Sequence, residues 1–501
     1  MAKTIIRAAA LAALLSSVAP AALAQAVSTA RQGATSGISQ EQALALSARL
    51  DALEQQNNEL RDQVADLKAQ VASGEQAIRK EVAAQPKVTL SNARPQIATA
   101  DGNFKFALRS VIQFDAADYD VKPLRADNDL QSGTNFRRAR LGFDGTAFKD
   151  WNFALWAEFG GTGGESAALN QAYLEYAGFK PFGADFRIRG GAWATPVGLE
   201  DATSNTESLF LERAAAAELV RGLAAGDGRT GVGVFANGQR WYGSLVWTGK
   251  TVGTPSTPEF DQQSGYIVRA AFNPLHSKTY DVHLGGTITG VLSAADLAAG
   301  PAKNQALRLR ERPELRVDGT RLVDTGSING KSLTTYGVEA GASYGPFYAA
   351  GEWFKFDVNR SSLGTAASPF DPSFSGWYVQ AAYTLTGEHR AWAAANGGFR
   401  GIRPAQPFDL KKNAWGAWEL AARYSVLDLN DDEGARGFAT PVGGIRGGEQ
   451  KITTVGLNWY PNSVVRFLLD YQWVDVNRLN AAGADISTDV KQLSFRSQVA
   501  F

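Results

Sequence analysis

From Asn103 onward, apolar and polar side chains alternate with a period of two, the pattern of a β-strand with one apolar and one polar face. In the segment that ends the chain, the apolar positions are Leu493, Phe495, Val499 and Phe501. The polar positions between them are Gln492, Ser494, Arg496 and Gln498. Such segments run for roughly ten to thirteen residues, which is the length that a tilted strand needs to cross a bilayer.

The connections between these segments alternate between short and long. Short ones include 237–240 and 460–462, and long ones include 195–228 and 290–332. Counting back from the last segment yields sixteen strands, an even number. With lipid against the apolar face and a water-filled lumen against the polar face, the sheet must close, because an open edge is not tolerated in a bilayer. The sequence thus predicts an all-β fold, a sixteen-stranded antiparallel transmembrane β-barrel over residues 103–501.

Two features qualify this prediction. The connection 387–414 is long yet falls on the side of the short ones, so either the chain makes an excursion there or the strand count slips. The last strand runs to Phe501, whose side chain we expect to face lipid at the rim with the short connections. In outer-membrane barrels this rim is periplasmic and the long loops are extracellular.

The N-terminus has the pattern of a secretory signal peptide. Lys3 and Arg7 precede an apolar stretch that ends in Ala22-Leu23-Ala24, which predicts cleavage after Ala24 and a signal peptide over 1–24. A membrane anchor would need a longer apolar segment followed by a charged stop. Residues 25–40 are small and polar and are predicted to be flexible. Export together with a barrel predicts the outer membrane of a Gram-negative type of cell.

A heptad pattern over residues 41–84 predicts a short α-helical coiled coil. The d positions are Leu46, Leu53, Leu60 and Leu67, and the a positions are Leu50, Asn57, Val64 and Val71. A polar residue at an a position sets the register, but the heptads leave open how many helices form the coiled coil. The alternative is a single amphipathic helix lying on another domain. Residues 85–102 contain prolines and are predicted to be a linker.

Composition excludes several classes of function. There is no cysteine, which rules out disulfides, thiolate metal sites and thiol catalysis, and there are only three histidines. Fifty basic residues balance fifty acidic ones, so net charge does not indicate a nucleic-acid partner. The glycine-rich 160–164 lacks a following lysine, and 428–434 lacks the glycine and glutamate of a calcium loop. We therefore predict no enzyme activity, no catalytic residue, no metal site and no cofactor.

Arginine is the candidate for chemistry inside the barrel, because it outnumbers lysine roughly two to one and its planar fork matches oxyanions. In the longest loop, Arg308, Arg310 and Arg312 share one face of an extended segment, and Arg316 follows. The candidates on strands, which are expected to project inward, are Arg109, Arg138, Arg140, Arg187 and Arg189. The alternative is a solvated loop and ordinary luminal charges balanced by carboxylates.

The barrel region resembles the phosphate- and polyphosphate-selective porins, the porin O and P family. The segments that carry the resemblance are FRRARLGFDG (136–145), GFKPF (178–182), GLE (198–200), FLER (210–213), GWYVQAAYTLTGEHR (376–390), GAWELAARYS (416–425) and GLNWYPN (456–462). The resemblance implies a trimer of sixteen-stranded barrels, each with its own pore and with inward-folded loops that carry arginines for anions. One departure is Ala194, which stands where the family has a lysine, and its loss weakens the expectation of tight phosphate binding.

These observations favour an outer-membrane porin, a passive diffusion channel for small anions such as phosphate or polyphosphate. One alternative is a structural anchor whose coiled coil links the outer membrane to the cell wall. Others are a general porin without anion preference and an outer-membrane enzyme. The expected partners are phosphate-like anions, outer-membrane lipid, two further copies of the chain in a homotrimer, and the cell wall through the coiled coil.

Overall fold

The structure is a computed structural model that describes residues 39–91, 94–161, 168–252, 261–296, 305–360 and 370–501. The chain divides into two units, 1–85 and 86–501. The predicted signal peptide and residues 25–38 of the segment predicted to be flexible lie outside the described residues.

The first unit contains one long helix, α1 (Gln40–Ala84). A capping box starts it, because the Ser39 hydroxyl accepts from the Gln42 backbone N–H while the Gln42 side chain accepts from the Ser39 N–H. The helix predicted from the heptads is confirmed, and its apolar stripe is exposed in the single chain. Self-association through that stripe stays a prediction. No helix in the described part of the chain is both long and apolar enough to cross a membrane.

The second unit is a closed antiparallel barrel, as predicted. Its sixteen strands are β1 (Lys105–Lys122), β2 (Gly133–Ala147), β3 (Trp151–Glu158), β4 (Ala168–Tyr176), β5 (Asp185–Trp193), β6 (Arg229–Asn237), β7 (Trp241–Thr251), β8 (Ser264–His276), β9 (Tyr280–Ser293), β10 (Ile328–Tyr344), β11 (Phe347–Arg360), β12 (Ser373–Thr384), β13 (Ala417–Asp431), β14 (Ile445–Tyr460), β15 (Val465–Asn477) and β16 (Thr488–Ala500). Each pairs with the next, and β16 pairs with β1 from Asp489↔Lys122 to Ala500↔Val111. We call the rim that carries the long connections the loop end and the rim that carries the short connections the turn end.

The segment predicted to be a linker instead contains a β-hairpin of the strands Lys87–Ser91 and Arg94–Ala98. The second of these pairs with β1, from Gln96↔Ala107 to Ala98↔Lys105. The reason lies in the stagger of the barrel. The last residue, Phe501, pairs with Ser110, so the part of β1 that precedes Ser110 has an unpaired edge that the hairpin covers.

The outward face follows the predicted alternation. Leu493 and Phe495 of β16 are exposed, whereas Gln492 and Arg496 are buried inside the barrel. At the turn end, aromatic rings stack from strand to strand around the outside, with centroid separations of 5.5, 5.3 and 6.2 Å along the row Trp418, Trp459, Phe467 and Phe495. Such a belt is typical of the membrane interface of a barrel.

The lumen is not uniformly polar. Near the loop end of β8 to β16, apolar side chains also point inward: Ile267, Leu333, Phe354, Phe356, Leu427, Ile452 and Val474. They pack against two connections that fold into the barrel, the first inward loop (194–228) and the second inward loop (305–327). The expectation of a water-filled lumen is therefore wrong for this part of the wall, because the loops bury its inner face.

The long connection at the turn end is an excursion, and the strand count does not slip. Strands β12 and β13 pair directly, from Ser375↔Asp428 to Thr384↔Glu419, on either side of it. The turn-end segment (385–416) then folds inward. Arg269 of the barrel wall donates to its Asn396 and Gly397 carbonyls at 2.9 and 2.6 Å.

Candidate ion pathway

The first inward loop is attached to the barrel wall by carboxylates. Glu352 accepts the backbone N–H groups of Leu199 and Glu200 at 2.6 and 2.9 Å, at the start of α2 (Leu199–Ala202). The loop backbone approaches Glu352 closely at Gly198, where a Cβ would lie 2.1 Å from the Glu352 Oε1 and would force this carboxylate to shift. Glu200 then pairs with Arg423 of β13 at 3.0 Å. The GLE segment of the resemblance therefore holds the loop against β11 and β13.

The FLER segment attaches the middle of the same loop. Leu211 donates its N–H to Asp470 at 2.8 Å. Glu212 accepts from Arg137 of β2 at 2.7 Å and from Arg496 of β16 at 2.8 Å. Arg316 of the second inward loop lies 3.6 Å from the same carboxylate. A single buried carboxylate thus holds three guanidinium groups where the two loops meet the wall.

A second charged cluster follows α3 (Ala215–Ala224). Arg221 contacts Asp201 at 2.9 Å and Asp227 at 2.7 Å. Burial alone would raise the pKa of Glu218, but Arg316, Arg221 and Arg213 together lower it to about 2. The loop helix is therefore held by ion pairs, and the Glu218 carboxylate stays charged over the physiological range.

The structure separates the four arginines of the second inward loop. Arg308 pairs with Asp324 at 2.7 Å, and both Arg308 and Arg310 are exposed. Arg312 is half-buried, and Arg316 contacts Glu212 and Glu218. Of the four, Arg316 is therefore the one that contacts the first inward loop in the described structure.

Two of the strand candidates lie close together on β2. Arg140 is paired with Glu158 and, at 2.7 Å, with Asp227. Arg138 is 2% exposed and donates to the Gln113 Oε1 at 2.6 Å. Within the described residues, no carboxylate oxygen lies within 4.0 Å of Arg138. Arg138 is consequently a buried cation without a counter-charge in direct contact.

The other strand candidates line the wall of β1 to β6. The Arg109 guanidinium lies over the Trp156 ring at 4.0 Å from its centroid. Arg189 pairs with Glu175 at 2.6 Å. Arg187 donates to Asn237 and to the Ala395 carbonyl of the turn-end segment. All five strand candidates point into the barrel, but they are spread over three strands rather than gathered at one point.

The candidates predicted from the sequence do not include several arginines that meet at the loop contacts. Arg137 is one, because β2 carries a bulge opposite Gln113 and Phe114, and an extra residue reverses the inward and outward positions. The others are Arg213, Arg221, Arg423 and Arg496. Arg213 and Arg423 lie in the FLER and GAWELAARYS segments, and alternation places Arg423 and Arg496 at polar positions of their strands.

Five of the predicted arginines have no carboxylate partner among the described residues: Arg109, Arg138, Arg187, Arg310 and Arg312. Burial and the neighbouring Arg316 and Arg321 lower the pKa of Arg312 to about 10. Burial is the largest cause of this lower pKa, and the nearby cations Arg316 and Arg321 add to it. A mobile anion would supply the missing counter-charge.

The chain is similar to several known proteins. The family model "Phosphate-selective porin O and P" matches residues 104–501. Porin O of Pseudomonas aeruginosa is 26% identical over 415 residues, which cover 79% of this chain and 88% of that protein. An uncharacterized protein of Caulobacter vibrioides is 26% identical over 423 residues, covering 79% and 76%. The anion-selective porin of Comamonas acidovorans is 14% identical, with a TM-score of 0.42 over 79% of this chain and 100% of that one.

The family match spans most of the chain and coincides with the closed barrel. The arginines, the inward loops and the closed wall form the interior of a channel. The protein therefore belongs to the phosphate-selective porin O and P family: it is an outer-membrane porin that passes small anions, and it is not an enzyme.

Proposed function

We propose that the channel passes small oxyanions of the phosphate class and that the arginines without carboxylate partners are their contact points. The observation that carries this is Arg312 of the second inward loop, a half-buried guanidinium without a carboxylate partner and with the cations Arg316 and Arg321 nearby. A cation that already contacts a carboxylate attracts a passing anion weakly. Arg312 has no such partner among the described residues and is the main candidate on the loops.

The strength of such a contact must be intermediate. Two unit charges 4 Å apart interact by about 4 kcal/mol at an effective dielectric constant of 20, before the anion loses its hydration. A channel needs binding that is strong enough to admit the ion and weak enough to release it. Spreading Arg109, Arg138 and Arg312 over the wall and the loop provides several moderate sites. Ala194, which stands where the family has a lysine, makes the binding of phosphate weaker still.

We further infer a homotrimer held by α1. Its heptad positions Leu46, Leu53, Leu60 and Leu67 are all exposed in the single chain, and none of its residues is buried. Covering that stripe with the same stripe of other copies buries apolar surface at about 25 cal/mol per Å². Outer-membrane lipid then covers the apolar outer face of each barrel, and the bundle of helices is the part that would contact the cell wall.

The test is the current of the purified protein in planar bilayers under a salt gradient. Arg312→Gln should move the reversal potential toward cations and weaken the block of chloride current by phosphate about tenfold, which corresponds to about 1.4 kcal/mol. Arg308→Gln is the matched control, because Arg308 has the same side chain in the same loop but is exposed and paired with Asp324. Unchanged selectivity in Arg312→Gln would contradict the proposal, and absence of any conductance would favour the anchor.

A further inference from the structure

A cavity of about 430 Å³ opens at the turn end of the barrel. The hairpin strand 94–98, β1 and β3 form one side, and the first inward loop, the turn-end segment and the start of β15 form the other. Pockets for organic ligands of moderate size begin at about 300 Å³. An inorganic anion would occupy only a small part of this space.

The lining combines cations with apolar surface. Its charged side chains are Arg94, Arg109, Arg403, Arg466 and Glu207. Its apolar and aromatic side chains are Val111, Trp156, Ile402, Tyr460 and Val464. Arg94 is already paired with Asp144, and Arg403 lies 3.9 Å from Glu207. The cavity therefore suits a molecule that is anionic at one end and apolar at the other.

Arg109 is held in place by stacking rather than by an ion pair. Its guanidinium lies 4.0 Å from the centre of the Trp156 ring, and no hydrogen-bond acceptor contacts it among the described residues. Gly142 lies between them in the sheet, paired with both residues. A Cβ at Gly142 would come within 2.9 Å of the Trp156 Cδ1, so the glycine leaves room for the indole. The N–H edge of Arg109 remains available to a ligand.

Arg466 repeats this arrangement on β15, which is separated from β1 by β16. Its guanidinium lies 4.8 Å from the centre of the Tyr460 ring, and the residue is 3% exposed. It donates to the Leu209 and Thr206 carbonyls, and its Nε has no acceptor. No carboxylate oxygen lies within 4.0 Å of it in the described chain. A buried guanidinium that lacks a counter-charge favours an anion in the adjoining cavity.

We propose that this cavity is a binding site for small planar aromatic carboxylates such as benzoate. The carboxylate would accept from the N–H edge of Arg109, and the ring would lie against the guanidinium–aromatic stacks and the side chains of Val111 and Ile402. Guanidinium groups stack on aromatic faces as well as binding carboxylates, so both parts of the ligand are recognised. This inference rests on the proposed function, because the anion must first enter the channel.

The test compares three monocarboxylates as blockers of chloride current through the wild-type channel in planar bilayers. Benzoate is planar and aromatic, cyclohexanecarboxylate has the same charge and a saturated ring, and acetate has no ring. Benzoate should block at about tenfold lower concentration than acetate, with cyclohexanecarboxylate between them. Equal block by benzoate and acetate in a channel that still prefers anions would overturn this inference alone. Loss of anion preference in the wild type would overturn the proposed function as well.

Two variants identify the site. Trp156→Leu should remove the advantage of benzoate over acetate as a blocker of chloride current. Trp247→Leu is the control, because Trp247 is an exposed tryptophan on the outward face of β7. A Trp156→Leu channel that keeps the full preference for benzoate would overturn the assignment. If that variant does not insert, the comparison of the three carboxylates in the wild type still decides the proposal.

Discussion

Arg390 is the residue whose removal should release the turn-end segment from the barrel wall. Its guanidinium donates to both carboxylate oxygens of Glu419 at 2.7 Å, and both side chains are almost completely buried. It also donates to the Glu207 carbonyl of the first inward loop at 3.1 Å and to the Tyr460 hydroxyl at 3.2 Å. One side chain therefore joins the segment, the wall and the inward loop.

The change Arg390→Ala leaves the Glu419 carboxylate buried without its partner. Removing one member of a buried ion pair costs about 3–5 kcal/mol. Each 1.4 kcal/mol changes an equilibrium about tenfold, so the population with a detached segment should rise by about two to four powers of ten. The contacts of Arg269 with Asn396 and Gly397 remain, so we expect transient detachment rather than loss of the fold.

Single-channel recording measures this directly. The Arg390→Ala channel should show larger conductance and frequent rapid steps between levels, because the segment leaves part of the lumen. Lys412→Ala is the control, since Lys412 belongs to the same segment and its ion pair with Asp409 is exposed. Arg390→Ala combined with Glu419→Ala should be quieter than Arg390→Ala alone, because no unpaired charge is left. An inserted Arg390→Ala channel with wild-type conductance and noise would refute the reasoning.

Three further predictions concern assembly, insertion and pH. Deleting residues 40–84 should abolish trimers in native electrophoresis but leave barrels that insert and conduct, because the strand ring closes without the helix; loss of all pore activity would contradict this. Phe501→Asp should reduce the amount of protein in the outer-membrane fraction and leave the protein in the periplasm, because terminal aromatics guide insertion in related barrels; wild-type surface levels would contradict this. The folded pKa of Glu218 is lowered to about 2, so the stability that this carboxylate contributes is fully present above its unfolded pKa of about 4.3 and is lost only as the pH falls through the folded value. Glu218 therefore stays charged between pH 7 and 4. Over that range the reversal potential of the wild-type channel should shift no more than the reversal potential of the Glu218→Gln channel.

The alternation and heptads were sufficient to predict the elements that repeat along the chain. A strand that crosses a bilayer must present apolar side chains at every second position, so the pattern alone specifies the sixteen strands, the antiparallel closure and the outward faces. The seven-residue period likewise specifies α1. Both are local rules, because neighbours in sequence are also neighbours on one face of the element.

The interior was decided by contacts between residues that are far apart in sequence. Glu200 pairs with Arg423, which lies 223 positions away in the sequence, and Arg390 donates to the Glu207 carbonyl, which lies 183 positions away. No periodic pattern in the sequence relates the members of these pairs. The bulge in β2 turned Arg137 inward against the alternation.

Only the tertiary structure therefore determined which arginines remain without counter-charges and where the cavity lies. The reason is physical. Lipid requires apolar side chains on the outward face of every strand, whereas the contacts of each luminal side chain depend on which loop packs against it.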